Sequence, residues 1–317
     1  MKKSYNVLIL SAGRRVELVQ LFKKAATELS IISQIVAVDI DITAPALYFA
    51  DKFFIIPRIT SPEYINELIQ LVKQEQIKLI IPTIDTELLV LAKNKELIEQ
   101  STDAKVMISN LDVIEICRDK KLTSEFLIDA GFSTPKVYDS IDETISFPTF
   151  IKPKSGSSSI NAFKVNNPME LKAYMTIIDQ PIIQEFVEGE EYTVDVFSDF
   201  NCKIITIVPR LRIQVRGGEI MKGKIVKNKD IIESVFRLVT KLNSIGHITV
   251  QLIKNKEGIF YIEINPRFGG GAPMSIMSGA NSCKNLFLIL MGTKLSYKEE
   301  YIDNQIYSRF DNSICID

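Results

Sequence analysis

The chain has little histidine and no tryptophan, with one His and no Trp among its 317 residues. A single imidazole excludes a histidine-rich zinc site, a two-histidine iron centre and any mechanism that needs two histidines. The four cysteines are scattered and form no CxxC pair, which is typical of reduced thiols rather than of a disulfide framework. We therefore expect the chemistry of this protein to depend on other side chains.

An excess of one charge and long apolar runs are also missing. Lys plus Arg number 38 against 39 Asp plus Glu, so the net charge of -1 gives no electrostatic case for nucleic acid or an anionic membrane. No stretch approaches the roughly 20 apolar residues of a membrane span, and the apolar run at 7–10 is too short for a signal peptide. We expect a cytoplasmic protein that binds neither nucleic acid nor membrane.

What is present is a change of pattern along the chain, whose length suggests two domains. Up to about residue 110, buried strands alternate with amphipathic helices, which predicts a parallel sheet in an α/β domain. One helix is predicted over 112–130. Beyond it, short strands dominate, and the pattern predicts a larger α+β unit that is mainly antiparallel.

The strand predicted to end at Lys152 runs into a loop of glycine and serine, residues 155–159. Small residues let successive backbone N–H groups turn toward an anion, and Lys152 adds a positive charge. The P-loop pattern GxxxxGK[ST] is absent. The segment fits either an anion-binding loop or an ordinary hairpin loop.

An acidic segment, residues 184–192, places four carboxylates beside Gly189 between two predicted strands. Such a connection offers backbone groups to a purine edge and a carboxylate to ribose hydroxyls. Taken alone, a solvent-exposed acidic turn explains the segment better.

The most informative pattern is a predicted hairpin that bears Gln251, Glu263 and Asn265. A three-residue loop with Gly258 in the left-handed position sets a register that opposes Gln251 to Glu263, with Asn265 on the same face. Three oxygen-bearing side chains on an apolar hairpin suit Mg²⁺, which takes the rest of its shell from water and phosphate. The alternative, polar groups that cap a sheet edge, would leave a costly buried Glu.

Basic residues accompany this hairpin. Arg267 follows it directly and precedes three glycines at 269–271, while Arg210, Arg212, Arg216 and Lys222 cluster around the glycines at 217 and 218. Beside a metal–phosphate site, such a cluster would stabilise a developing phosphoryl charge or bind a carboxylate. Elsewhere it would be a solvated loop.

In this order the segments resemble the ATP-grasp superfamily, specifically the carboxylate–amine ligases related to the large subunit of carbamoyl-phosphate synthetase. The resemblance covers nearly the whole chain. It implies an N-terminal α/β domain of the pre-ATP-grasp type over 1–111, a linker helix and lid subdomain over 112–187, and a C-terminal antiparallel lobe over 188–317.

The resemblance also implies ATP and Mg²⁺, with two ions and with Mn²⁺ as a substitute, and it assigns roles to individual residues. Phosphate binding and the flap above it fall to Lys120, Lys152, Ser155, Gly156, Ser157 and Ser158. The adenine hinge and ribose contact fall to Gln184, Glu185, Phe186, Val187 and Glu191. The metal ligands are Gln251, Glu263 and Asn265, and the groups that act on the transferred phosphoryl group are Arg267, Arg216 and Lys152.

The implied activity is that of a ligase. ATP phosphorylates a carboxylate to an acyl phosphate, and an amine of amino-acid type displaces the phosphate; a homodimer is the default assembly. Two alternatives stay open: transfer of the acyl group to another nucleophile, and a nucleotide-binding subunit without turnover.

Weaker signals come from four residues. Arg14 and Arg15 follow the first strand in a segment best explained as a tight βα turn, although either could face a substrate cleft. Asp85 follows a strand at an edge where α/β folds bind ligands but could equally cap a helix. His247 is better explained as a structural residue.

Overall fold

The parallel sheet of the N-terminal region follows from continuous apolar runs. In the computed structural model, which describes residues 3–138, 145–154 and 160–316, its elements are β1 (Asn6–Ile9), α1 (Val16–Glu28), β2 (Ile35–Asp39), a 3₁₀ helix (Pro45–Phe49), β3 (Lys52–Ile55), α2 (Tyr64–Gln74), β4 (Ile77–Ile81), α3 (Asp85–Ser101) and β5 (Lys105–Val106). The strands are parallel in the order β3-β2-β1-β4-β5. The predicted parallel sheet is confirmed.

Both faces of this sheet are covered, which explains why its strands lack alternation. Val7 and Ile9 belong to the same apolar cluster as Phe22 of α1. Leu8 packs in a second cluster with Leu68 of α2 and residues of α3. Arg15 and Asp85 lie beyond the carboxyl ends of β1 and β4, where they line a cavity together with residues of later strands.

The single helix predicted over 112–130 is wrong. The structure has two helices, α4 (Leu111–Arg118) and α5 (Lys120–Asp129), separated by Asp119 in an extended conformation. The Asp119 carboxylate accepts backbone N–H bonds from Lys121 and Leu122 at 2.8 and 3.2 Å and so begins a new helix. This break places Lys120 in the first turn of α5.

A small antiparallel sheet follows. It consists of β6 (Val137–Tyr138), β7 (Thr149–Pro153), β8 (Phe163–Val165) and β9 (Pro181–Glu185) in the order β6-β9-β7-β8, with α6 (Pro168–Ile177) before β9. Leu171 of α6 packs against Ile151 and Ile183 of the sheet. The predicted flap residues 155–158 lie outside the described residues, so their role stays a prediction.

A larger antiparallel sheet forms the remainder of the core. Its elements are β10 (Glu190–Ser198), β11 (Ile204–Arg216), β12 (Glu219–Ile225), α7 (Lys229–Leu242), β13 (Gly246–Asn255), β14 (Gly258–Asn265), α8 (Ala272–Met277), α9 (Ser282–Leu290) and β15 (Ile306–Ser308). The strand order is β14-β13-β10-β11-β12-β15. α7 covers one face, with Leu238 and Val239 against Val194 and Ile207.

The β13–β14 hairpin differs from its prediction at the turn. Asn255 pairs with Gly258, so the loop has two residues rather than three. The Asn255 side-chain oxygen accepts the backbone N–H groups of Glu257 and Gly258 at 2.9 and 3.2 Å, which stabilises the tighter turn.

A β-bulge then restores the predicted pairing. Leu252 pairs with Tyr261 but Gln251 pairs with Glu263, so Ile262 is an extra residue on β14. The predicted opposition of Gln251 and Glu263 is confirmed, and Asn265 lies opposite Thr249 at the end of the hairpin. The division of the chain at 111/112 and 187/188 stays a prediction. Within the described ranges, no helix is long and apolar enough to cross a membrane.

Candidate functional site

Two cavities meet in the interior of the molecule. The large cavity, of about 630 Å³, lies between the small sheet and the strands β10, β11, β13 and β14. The small cavity, of about 250 Å³, lies between those strands and the carboxyl ends of the N-terminal strands. Three side chains line both: Arg212, Gln251 and Glu263.

Apolar side chains form much of the large cavity. They come from several strands and loops and are Phe150, Ile160, Ala162, Phe186, Val187, Val215, Ile253 and Ile262. Ile262 joins Glu263 on this wall because of the bulge, which turns two consecutive side chains toward one cavity. The segment 186–189 lies close to β13, since a Cβ on Gly189 would be 2.7 Å from Ile253 Cγ2. A flat apolar group bordered by backbone fits this space.

Two lysines lie at one side of the large cavity. Lys152 is buried, with 7% of its surface exposed, and Lys120 donates a hydrogen bond from Nζ to the Pro153 carbonyl at 3.1 Å. Burial, opposed by the charge of Glu263 and aided by that of Lys120, lowers the pKa of Lys152 from 10.5 to about 8. Burial also lowers the pKa of Lys120. A buried cation beside a half-buried one favours an anionic ligand.

The residues shared by the two cavities form a connected polar group. Gln251 Nε2 donates to Glu263 Oε2 at 3.2 Å, and Arg212 Nη1 donates to Gln251 Oε1 at 3.1 Å. Arg212 Nε also lies 3.2 Å from Glu191 Oε1. All three predicted metal residues thus line the small cavity, and Gln251 and Glu263 line the large cavity as well, which Asn265 does not.

The donor chemistry of these residues fits Mg²⁺. One carboxylate and two amide oxygens supply hard oxygen ligands and leave coordination positions for water and phosphate. Within the described ranges, no group of three His, Cys, Asp or Glu side chains forms an alternative metal site.

The small cavity is polar. Arg267 Nη2 lies 2.7 Å from Asp85 Oδ2, an ion pair that joins the end of β14 to the N-terminal domain. Arg15 donates from Nη2 to the Thr83 carbonyl at 3.3 Å. Burial lowers the pKa of Arg15 to about 10, and the charge of Arg267 contributes to this shift.

The structure does not bring every predicted residue to these cavities. Arg216 lies at the end of β11 with 59% of its side chain exposed, and it pairs with Asp311 at 2.9 Å in a separate surface depression. Gln184, Glu185, Phe186, Val187 and Glu191 all line the large cavity, as do Lys120 and Lys152.

The sequence placed Arg210 and Arg212 in a basic cluster that would stabilise a phosphoryl charge or bind a carboxylate, but it gave neither residue a role of its own. Both line the small cavity. The signal that could have separated them from Arg216 is their distance from the turn at the glycines 217 and 218. His247 is buried, stacks on Phe268 at 4.3 Å and lies with Nδ1 3.2 Å from the Ser282 hydroxyl, which supports a structural role.

Two family models match the chain. A PylC-like N-terminal domain matches residues 7–107, and an ATP-grasp domain matches residues 117–271. The chain contains an ATP-grasp domain, and the predicted α/β domain followed by an ATP-grasp fold is confirmed. The prediction of an ATP-grasp enzyme of the ligase type is confirmed at the level of the family.

Curated relatives carry ligase and synthase names. A carbamoyl-phosphate synthase of Methanobrevibacter smithii is 24% identical over 78% of this chain and 72% of its own length. A 3-methyl-D-ornithine–L-lysine ligase of Methanosarcina acetivorans is 25% identical over 80% of this chain and 66% of its own. For a D-alanine–D-alanine ligase of Fusobacterium nucleatum the identity is 26%, over 47% of this chain and 56% of that protein.

Solved structures share the fold. The N5-carboxyaminoimidazole synthetase of Staphylococcus aureus in complex with ADP has a TM-score of 0.74 and 18% identity, over 94% of this chain and 80% of that one. The biotin carboxylase domain of the Hydrogenobacter thermophilus 2-oxoglutarate carboxylase, a dimer with MgADP, ADP and bicarbonate, has a TM-score of 0.73 and 19% identity, over 97% of this chain and 75% of that one.

Proposed function

We propose that this chain is an ATP- and Mg²⁺-dependent ligase that activates a carboxylate as an acyl phosphate and joins it to an amine of an amino-acid type of substrate. The observation that supports this most strongly is the meeting of a nucleotide-sized cavity and a smaller polar cavity at Arg212, Gln251 and Glu263. Phosphoryl transfer needs its donor and acceptor side by side in this way.

In the large cavity, the purine of ATP would lie against the apolar wall beside residues 184–187, with Glu191 near the ribose. Lys120 and Lys152 would bind the phosphates, because both are cations at the side of the cavity that Glu263 lines. The serine–glycine segment at 155–158 is proposed to close over them.

Gln251, Glu263 and Asn265 would hold Mg²⁺, in one or two ions, with Mn²⁺ as a substitute. The metal, when bound, neutralises charge on the phosphate oxygens. The hydrogen bond between Gln251 and Glu263 already keeps two of these side chains adjacent.

The proposed reaction has two steps. A carboxylate oxygen of the first substrate attacks the γ-phosphorus of ATP, the bond to the β,γ-bridging oxygen breaks, and ADP leaves. A neutral amine then attacks the acyl carbon, phosphate leaves, and the nitrogen loses one proton. Arg267 and Arg212, which line the small cavity, would stabilise the negative charge that develops on the transferred group.

A screen of ADP and phosphate release tests this function. Purified protein with Mg-ATP is offered pairs of carboxylates and amines, and the product is identified by mass. We expect ADP release that needs both partners and yields an amide. ADP release without an amine product would favour another nucleophile, and nucleotide binding without any ADP release would favour a subunit without turnover. The homodimer and the cytoplasmic location stay predictions.

A further inference from the structure

Two of the arginines that line the small cavity, Arg15 and Arg210, have no role in the proposed phosphoryl transfer. Arg210 is 1% exposed and lines this cavity. Its Nε and Nη2 atoms bind the two oxygens of Asp195 at 2.7 and 3.1 Å. Because this pairing uses one edge of the planar guanidinium, it leaves Nη1 directed away from Asp195. Nη1 is buried and, among the residues the structure describes, has no hydrogen-bond partner.

Asp195 is itself held firmly. It accepts a hydrogen bond from the Ser275 hydroxyl, and one of its oxygens lies 3.5 Å from His247 Nε2. Burial alone would raise the pKa of Asp195, but Arg210 and His247 hold it well below its usual range. The Asp195 carboxylate therefore stays ionised, and it holds the Arg210 guanidinium in one position.

The loop after β14 is shaped around two guanidinium groups. A Cβ on Gly271 would lie 2.6 Å from Arg210 Nη1, and a Cβ on Gly270 would lie 2.8 Å from Arg15 Nη1. The backbone of Gly271 has a φ of -93°, which any residue adopts, so its own conformation does not require glycine. The close approach of the side chains, including Ile220 Cγ2 at 2.6 Å from the Gly271 Cβ position, requires it instead. Both guanidinium groups thus lie against consecutive residues of one loop that lines the small cavity.

We infer that Arg15 and Arg210 form a subsite for a carboxylate that does not react, carried by the amine substrate of the proposed ligase. A planar carboxylate matches guanidinium donors, and it would satisfy Nη1 of Arg210. The inference rests on the proposed function, since it assigns the group to the amine substrate.

Electrostatics favour an amino acid over a simple amine. Four arginines line the small cavity, at positions 15, 210, 212 and 267. Three acids, Asp85, Glu219 and Glu263, line it as well, so the cavity offers partners to both charged ends of an amino acid. A carboxylate on the same molecule supplies the attraction that a simple amine lacks. The volume of about 250 Å³ suits a small molecule of amino-acid size.

Kinetics with matched substrates test the subsite. The amines are the common amino acids in both L and D forms and their α-amides, assayed by ADP release with the same panel of carboxylates. The wild type should prefer acid to amide by about tenfold or more in kcat/KM. Arg15→Gln and Arg210→Lys should each lose most of this preference through a higher KM for the amine, with KM for ATP unchanged. Arg210→Lys keeps a cation for Asp195 but removes Nη1.

The neighbouring Arg14 supplies the control. Its side chain is 74% exposed and it lies outside the small cavity, so Arg14→Gln should keep the preference. Thermal unfolding checks the fold of each variant, and Arg15→Gln tests the subsite even when Arg210→Lys does not fold. Equal use of acids and amides by the wild type would overturn the subsite but leave the ligase proposal intact.

Calorimetry of the amino-acid panel with protein in Mg-ADP separates the remaining outcomes. One outcome is that an amino acid binds the wild type, and binds Arg15→Gln more weakly, while no carboxylate–amine pair causes ADP release. That result would support the subsite and contradict the ligase proposal. If no amino acid binds or reacts, the subsite is overturned.

Discussion

The two cavities share three side chains, but the other side chains that line them differ in chemical character. The large cavity has apolar walls such as Phe150 and Ile253 and two lysines, and its residues run from Lys120 to Glu263, within the range that the ATP-grasp model matches. The small cavity is lined by arginines, acids and threonines, and it adds Arg15 and residues 83–86 of the PylC-like domain. Under the proposed function, nucleotide binding would belong to one domain, whereas substrate choice would arise where two domains meet.

The residues common to both cavities should produce the largest effect. Glu263→Gln removes the only carboxylate of the proposed metal ligands, and we expect ADP release at saturating Mg-ATP to fall by roughly 10³-fold. Glu257→Gln, in the exposed turn of the same hairpin, is the control and should keep the wild-type rate. Full activity of Glu263→Gln would contradict the metal assignment.

A change confined to the small cavity should separate chemistry from nucleotide binding. Arg267→Gln removes the partner of Asp85 and a cation beside the reacting groups. We expect kcat to fall by roughly 10²-fold, while calorimetry gives an unchanged affinity for ADP. Arg237→Gln, an exposed position on α7, controls for loss of charge. A large loss of ADP affinity in Arg267→Gln would contradict the proposal that the small cavity takes no part in nucleotide binding.

The reverse result is expected for the large cavity. Lys152→Gln removes a buried cation and should weaken ADP binding by roughly tenfold to a hundredfold, measured by calorimetry. Lys154→Gln lies two residues further on, where the side chain is 43% exposed and pairs with Asp119, so it should change the affinity by less than about twofold. Equal affinities for the two variants would contradict the phosphate-binding role of Lys152.

A buried carboxylate beneath the small cavity should make stability depend on pH. Glu87 is fully buried and accepts hydrogen bonds from Ser11 and from the backbone of Thr83, yet burial raises its pKa from 4.5 to about 7. Because the folded pKa exceeds the unfolded one, this group contributes its stability below pH 4.5 and loses it as the pH rises to 7.

Glu87→Gln should remove that dependence, which amounts to about 3 kcal/mol at most. Urea unfolding at pH 5 and pH 8 measures it: relative to the wild type, the variant should gain stability at the higher pH. Glu96→Gln, on the same helix, is the control because its carboxylate lies in an exposed hydrogen bond. Parallel pH profiles of wild type and Glu87→Gln would contradict the shifted pKa.

The smallest effect is expected outside both cavities. Arg216→Ala should change kcat/KM by less than about twofold, since the exposed ion pair of Arg216 with Asp311 contributes little. Arg212→Ala, on the same strand, should lose activity strongly because Arg212 bonds Gln251 in the shared group. Comparable losses of kcat/KM in the two variants would support the role of Arg216 in phosphoryl transfer that the resemblance implies.

Elements with a strong local signal were predictable. The apolar runs at 5–10, 35–39 and 78–82 predict strands, and the amphipathic pattern at 231–242 predicts a helix. The observed β1, β2, β4 and α7 lie within about two residues of these bounds. Elements that depend on one polar residue were not: Asp119 divides a helical pattern, and β11 continues through polar residues to Arg216 because β12 pairs with it. In such segments, partners distant in sequence decide the conformation.

The sequence by itself determined the order of the chemical groups: two lysines, the acidic segment, and Gln251, Glu263, Asn265 and Arg267. Side-chain alternation also determined that Gln251 and Glu263 share a face. Only the tertiary structure decided that Arg212 rather than Arg216 reaches them, because four residues of extended strand separate the two by about 14 Å. It also decided that Arg15 and Asp85 reach the small cavity, since domain packing brings together residues that no local pattern connects.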